Sequence, residues 1–141
     1  MDIDARHGLK YYVYKYWMSG LCFLTILILC MMPGRKFPEV NYVFFIPLDK
    51  VVHFTMFFGY ALLLTSDFRK TNKSLKPYSY WAVLISSGYG MVIEVLQGTL
   101  TTTRSADIND WIADTIGAIA AALIYAQLLK LQRMVKIRIL S

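Results

Sequence analysis

Four stretches of this chain, at about residues 14–32, 49–66, 78–97 and 110–130, are each apolar over a length close to what a bilayer demands. A helix rising about 1.5 Å per residue needs roughly 20 apolar residues to cross a hydrocarbon core about 30 Å thick. Four such stretches in 141 residues leave short connections and little else. The expected architecture is therefore all-α: a polytopic membrane protein, one domain over residues 1–141, built as a four-helix transmembrane bundle. Composition supports lipid as the solvent. The chain is 57% hydrophobic and 17% charged, against about 25% charged in an ordinary soluble domain, and its mean hydropathy is +0.46.

A net charge of +6 raises the question of nucleic acid. The placement of the basic residues answers it differently. Arg6, Lys10 and Lys15 precede the first stretch, Arg69, Lys70, Lys73 and Lys76 join the second to the third, and Lys130, Arg133, Lys136 and Arg138 follow the fourth. Arg35, Lys36, Lys50 and Arg104 fall on the other side, so eleven of the fifteen basic residues share one side. Basic loops stay cytoplasmic, which predicts an N-in/C-in topology with no nucleic-acid partner. Tyr11, Tyr12, Tyr14, Tyr16 and Trp17, with Tyr78, Tyr80 and Trp81, suit an aromatic belt at the inner interface.

The first stretch ends in Met31-Met32-Pro33-Gly34, without a small-x-small cleavage site, and reads as a retained span. Pro33-Gly34 is a turn pair, and Pro47 suits the first turn of the second helix. Residues 40–46 are apolar for a loop and are expected to dip into the outer interface. The basic and apolar alternation from Lys130 to Ser141 fits either a continuation of the fourth span or a segment on the inner leaflet. Cys22 and Cys30 stand about 12 Å apart along a helix, too far for a disulfide with one another, and read as small apolar filler.

The acidic residues are unevenly placed. Asp2, Asp4 and Asp67 fall inside, whereas Glu39, Asp49, Glu94, Asp107, Asp110 and Asp114 fall outside or just beneath the outer surface, joined by His53. Asp49, His53 and Tyr60 are spaced i, i+4, i+11 on one helical face, and Glu94 and Gln97 are i, i+3 neighbours. Asp107, Asp110 and Asp114 share a face if their helix begins by Ala106. His53, Glu94 and Asp114 thus reach one depth from three helices. A charge in lipid costs at least about 2.5–3.5 kcal/mol, so these groups should turn toward one another, with Lys50 or Arg104 as counter-ion.

Two readings of this cluster compete. It is a structural ion-pair and hydrogen-bond network that caps helix ends, or it lines an outward-facing polar pocket. Five carboxylates and a histidine exceed what capping requires, which favours the pocket. His53 with Asp49 or Glu94 can form a general acid–base pair, and Arg104 can grip a phosphate or carboxylate. Asp, Glu and His together can hold a divalent metal. No HExxH, CxxC or similar strict motif is present, however, so no cofactor is expected from motif alone. Ser105 has no evident base. Gly88 and Gly90, and Gly117 with Ala113 and Ala121, read as small residues permitting close helix packing.

The run Asp49-Lys50-Val51-Val52-His53-Phe54, then Glu94-Val95-Leu96-Gln97, then Arg104-Ser105-Ala106-Asp107-Ile108-Asn109-Asp110 and Gly117, resembles the VanZ-like family over roughly residues 49–125. The family pattern is D-K-x-x-H-F, E-x-x-Q and R-x-x-D-x-x-D, followed by A-N-x-x-G; Asp114 stands where the family often has Asn. The resemblance implies a multi-pass protein of the bacterial cell membrane, in a family named for a member associated with reduced susceptibility to the glycopeptide teicoplanin. It does not establish an enzyme.

The expected function is binding or modifying a lipid-linked or cell-wall component of the envelope, with membrane lipids as surroundings. His53, Glu94 and Asp107 are the candidate acid–base or ligand groups. Asp49, Lys50, Tyr60, Gln97, Arg104, Asp110 and Asp114 are the candidate binding groups. A non-catalytic scaffold or partner-binding bundle is the alternative. A proton or ion pathway ranks last, because Ser86, Ser87 and Tyr60 offer little polarity below the cluster.

Overall fold

The protein, described by a computed structural model over residues 5–32, 42–43, 46–71, 78–101 and 105–140, is a bundle of four long helices. They are α1 (Ala5–Met31), α2 (Leu48–Thr71), α3 (Tyr78–Leu100) and α4 (Ile108–Leu140). A two-residue ladder precedes α2, with β1 (Tyr42–Val43) antiparallel to β2 (Ile46–Pro47) and Tyr42 opposite Pro47. All four helices are long and apolar enough to cross a membrane, over Lys10–Met31, Leu48–Lys70, Tyr78–Leu100 and Ile108–Gln132. In a hydrocarbon solvent every backbone polar group needs an internal partner, which an uninterrupted helix supplies.

The helix ends follow from local chemistry. α1 stops at Met31, ahead of Pro33, whose ring disfavours helical geometry in the residue before it. Pro47 lies in β2 and not in the first turn of α2 as expected; a short edge ladder tolerates its missing N–H. α2 carries Asp49 in its first turn and Arg69 and Lys70 in its last, each sign matching the helix dipole. α4 begins at Ile108, later than the start by Ala106 that would put Asp107 on its face. Asp107 instead caps the helix: its Oδ1 accepts the Asn109 N–H at 2.8 Å and its carbonyl accepts the Asp110 N–H at 3.0 Å. At its other end α4 continues through the basic segment to Leu140, so the continuation is the arrangement found.

α2 is the central helix and touches the other three, with α4 its most extensive partner. Between α1, α2 and α3 the core holds Ile26, Phe57, Tyr60, Leu64, Tyr89 and Ile93. Phe23 and Tyr89 stack at 4.1 Å, and the Tyr89 hydroxyl donates to the Phe23 carbonyl at 2.8 Å. Between α2 and α4 the core is made of alanines, Ala61, Ala118 and Ala121. Such small side chains let backbones approach closely where lipid tails compete equally for apolar surface. Gly117 completes this seam. A Cβ there would strike the Phe54 carbonyl oxygen and lie 3.2 Å from the Phe58 nitrogen. Large apolar side chains on the bundle's outside, among them Leu24, Ile28, Val92, Ile116 and Leu123, are exposed and face the lipid.

α1 is held to α2 by a polar pin as well. Asp67, expected in the connection after the second span, lies on α2 and is only 4% exposed. Its Oδ2 accepts the Ser19 hydroxyl at 2.9 Å. Ser19→Ala strips a donor from a buried acceptor, which costs about 1–3 kcal/mol. We expect the thermal midpoint of the detergent-solubilised protein to fall accordingly, whereas Thr25→Ala, which breaks only an exposed bond to the Leu21 carbonyl, leaves it within experimental error.

Candidate functional site

The C-terminal end of α3 and the N-terminal ends of α2 and α4 come together at one end of the bundle. His53, Glu94 and Asp114 each lie five or six residues from the nearest helix end, so each sits roughly 8–9 Å along its helix. The side chains meet there. The buried His53 ring places Nδ1 3.0 Å from Asp114 Oδ1. Glu94 reaches across to α4 and accepts the Asp107 N–H on Oε2 at 2.8 Å, occupying a donor that the helix start leaves free. Lys50 donates to Asp107 Oδ2 at 2.8 Å and Asp110 Oδ1 at 2.7 Å, bridging α2 to the start of α4. Lys50 and the Asn109 backbone N–H hold the Asp107 carboxyl below its ordinary range, because both stabilise the anion.

The structure gathers most of the residues singled out in the sequence. His53, Glu94, Asp110 and Asp114 are buried, Lys50 and Asp107 are half-buried, and Asp49 is exposed at the rim. Gln97 points elsewhere: its Nε2 donates to the Cys30 carbonyl at 3.0 Å, tying α3 to the end of α1. Tyr60 shares a helical face with His53 but lies about 10 Å further along α2, in the aromatic core with Phe23 and Tyr89. Arg104 falls outside the described residues. Of the two expected counter-ions, Lys50 is the one the described residues place in the cluster.

Two supports were not legible as such in the sequence. Gly90 is the first: a Cβ there would come within 2.6 Å of Asp114 Oδ2, so its missing side chain leaves room for the carboxylate. A clasp between α3 and α4 is the second. Trp111 Nε1 donates to the Ser87 carbonyl at 3.0 Å, and the Ser87 and Thr115 hydroxyls pair at 2.8 Å. No short-range pattern links Ser87 to Thr115; the i, i+4 bond from the Thr115 hydroxyl to the Trp111 carbonyl shows only that they lie on one turn.

Among the described residues, two groups of three potential ligands are close enough for one ion. One atom from each of His53, Glu94 and Asp114, and one from each of Asp49, His53 and Asp110, lie within 4.8 Å of one another. Two buried carboxylate oxygens, Glu94 Oε1 and Asp114 Oδ2, have no hydrogen-bond partner among the described residues. The cluster therefore offers an imidazole able to exchange a proton, buried carboxyl oxygens and an ammonium nearer the surface.

Fold and site together define a polytopic four-helix membrane protein with an acid–histidine–lysine cluster inside one end of its bundle. The chain belongs to the VanZ/LLP1 family, whose model matches residues 9–130 and so reaches into all four helices. Neither a curated protein nor a solved structure matches it.

Proposed function

We propose that this protein binds or modifies a lipid-linked or cell-wall component of the bacterial envelope in the polar end of its bundle, with both termini cytoplasmic and that end facing outward. One observation carries the reading: the polar side chains form a graded path from the surface into the bundle. Side-chain exposure falls from 38% at Asp107 and 23% at Lys50 to 9% at Asp110, 2% at His53 and 0% at Asp114. A network built only to cap helix ends gains nothing from carrying ionisable groups this far inward, where each costs stability. Exposed apolar side chains flank the path, Leu48 and Val52 on α2 and Ile108 and Ile112 on α4. A molecule with a polar head and a lipid tail fits both surfaces.

His53 is the group suited to exchange a proton, Glu94 supplies a buried carboxylate oxygen, and Lys50 meets an anionic head at the entrance. The scaffold reading draws on the Lys50 bridge to Asp107 and Asp110, which joins two helices as a purely structural clamp would.

The test uses the full chain in lipid nanodiscs with a polyprenyl phosphate as probe, alongside teicoplanin susceptibility of cells expressing the protein. We expect Glu94→Gln and His53→Gln to abolish probe binding and any effect on susceptibility while leaving insertion and helix content intact. Retention of both properties in both variants would assign the cluster to structure alone.

A further inference from the structure

We propose that His53, Glu94 and Asp114 form a site for a divalent cation of the manganese or zinc class. The inference is independent of which envelope component the protein handles. It begins from charge. The described residues bring five carboxylates to this end of the bundle, and Lys50 pairs with two of them, Asp107 and Asp110. Asp49 stays exposed to water. Glu94 and Asp114 are 6% and 0% exposed, and among the described residues His53 is the group beside them with a capacity for positive charge. Two carboxylates at that burial need more than one imidazole to offset them.

The hydrogen bonds show where the deficit lies. Glu94 spends Oε2 on the Asp107 N–H, which leaves Oε1 buried and without a partner among the described residues. Asp114 spends Oδ1 on His53, which leaves Oδ2 buried and likewise without one. Asp114 Oδ2 lies against Gly90, where a Cβ would approach it to 2.6 Å. Gly90 and Glu94 are i, i+4 neighbours, so this oxygen is turned to the face of α3 that carries Glu94. Buried polar atoms without partners are rare, and one cation held between these two oxygens satisfies both.

The donor set selects the ion. One imidazole nitrogen and two carboxylate oxygens suit zinc and manganese better than calcium, which prefers oxygen alone. Metal bonds of about 2.0–2.2 Å put tetrahedral ligands about 3.3–3.6 Å apart, so atoms within 4.8 Å of one another need to close by at most about 1.5 Å. The competing trio of Asp49, His53 and Asp110 is poorer, because Asp110 Oδ1 is held by Lys50 and Asp49 is solvated.

The test takes the full chain, purified through a histidine-free tag and stripped with EDTA, and measures retained Mn²⁺ and Zn²⁺ by mass spectrometry and calorimetry at pH 7. One equivalent of at least one of the two is expected, with a rise in thermal midpoint on binding. Glu94→Gln and Asp114→Asn keep the side-chain shape and are checked for folding by gel filtration and helix content. Each should weaken binding by at least about tenfold, while Asp67→Asn, at a buried acid outside the cluster, leaves it unchanged. Absence of a bound equivalent in the unaltered protein, or equal affinity in folded Glu94→Gln and Asp114→Asn, overturns the site. Neither result bears on polyprenyl phosphate binding, which is read separately.

Discussion

Gly117→Leu will prevent the bundle from assembling, and even Gly117→Ala will cost about 1–3 kcal/mol, the usual range for overpacking. The residue sits on α4 close against α2, and what a side chain would meet is main chain: the Phe54 carbonyl and the Phe58 nitrogen. A flexible neighbour can swing aside, but a helix backbone moves only if the whole helix shifts. The seam between α2 and α4 is the most extensive in the molecule and is lined by alanine, so separating it loses many contacts at once. Alanine's helix propensity, better than glycine's by about 1 kcal/mol, works against this loss and does not cancel it. Gly88 provides the comparison, since a Cβ there meets nothing within 4 Å. Gly88→Ala should leave the thermal midpoint unchanged or raise it. Gel filtration and thermal unfolding in detergent read both variants, and equal behaviour at the two glycines would remove close packing as the reason for Gly117.

The contrast between these glycines marks what the sequence makes legible. Four apolar stretches of sufficient length specify four helices because lipid permits few other structures. Helical spacing also brings His53, Glu94 and Asp114 to one depth, since position along a helix follows directly from residue count. Rotation and partnership are less accessible. Tyr60 lies on the same helical stripe as His53, yet the crossing helices deliver it to Phe23 and Tyr89. Asp67 looks like a connection acid until Ser19, 48 residues earlier in the chain, is brought against it. Asp107 turns on where α4 starts. A start two residues earlier would make it a face residue, whereas the observed start makes it a cap that presents its own N–H to Glu94. Each of these depends on a contact distant in sequence or on a boundary, and periodicity encodes neither.

The pairing of His53 with Asp114 carries the other large effect. His53→Leu leaves Asp114, whose side chain is 0% exposed, without the partner of its Oδ1. Removing one member of a buried pair costs about 3–5 kcal/mol, because the remaining charge has lost both water and counter-ion. Lys50 offers little relief, since Asp107 and Asp110 already occupy it. Adding Asp114→Asn to His53→Leu removes the stranded charge and leaves a neutral amide, which is penalised by about 1–3 kcal/mol. The double variant should therefore be more stable than His53→Leu alone, an inversion that contact loss by itself does not produce. Chemical or thermal unfolding of the two variants at pH 7 measures it. A loss below about 1 kcal/mol for His53→Leu, with no rescue, would mean that Asp114 is carried as the neutral acid. The rescued double variant also separates the two roles of the cluster. It restores the fold without restoring the imidazole, so a scaffold would keep its phenotype and a binding or catalytic site would not.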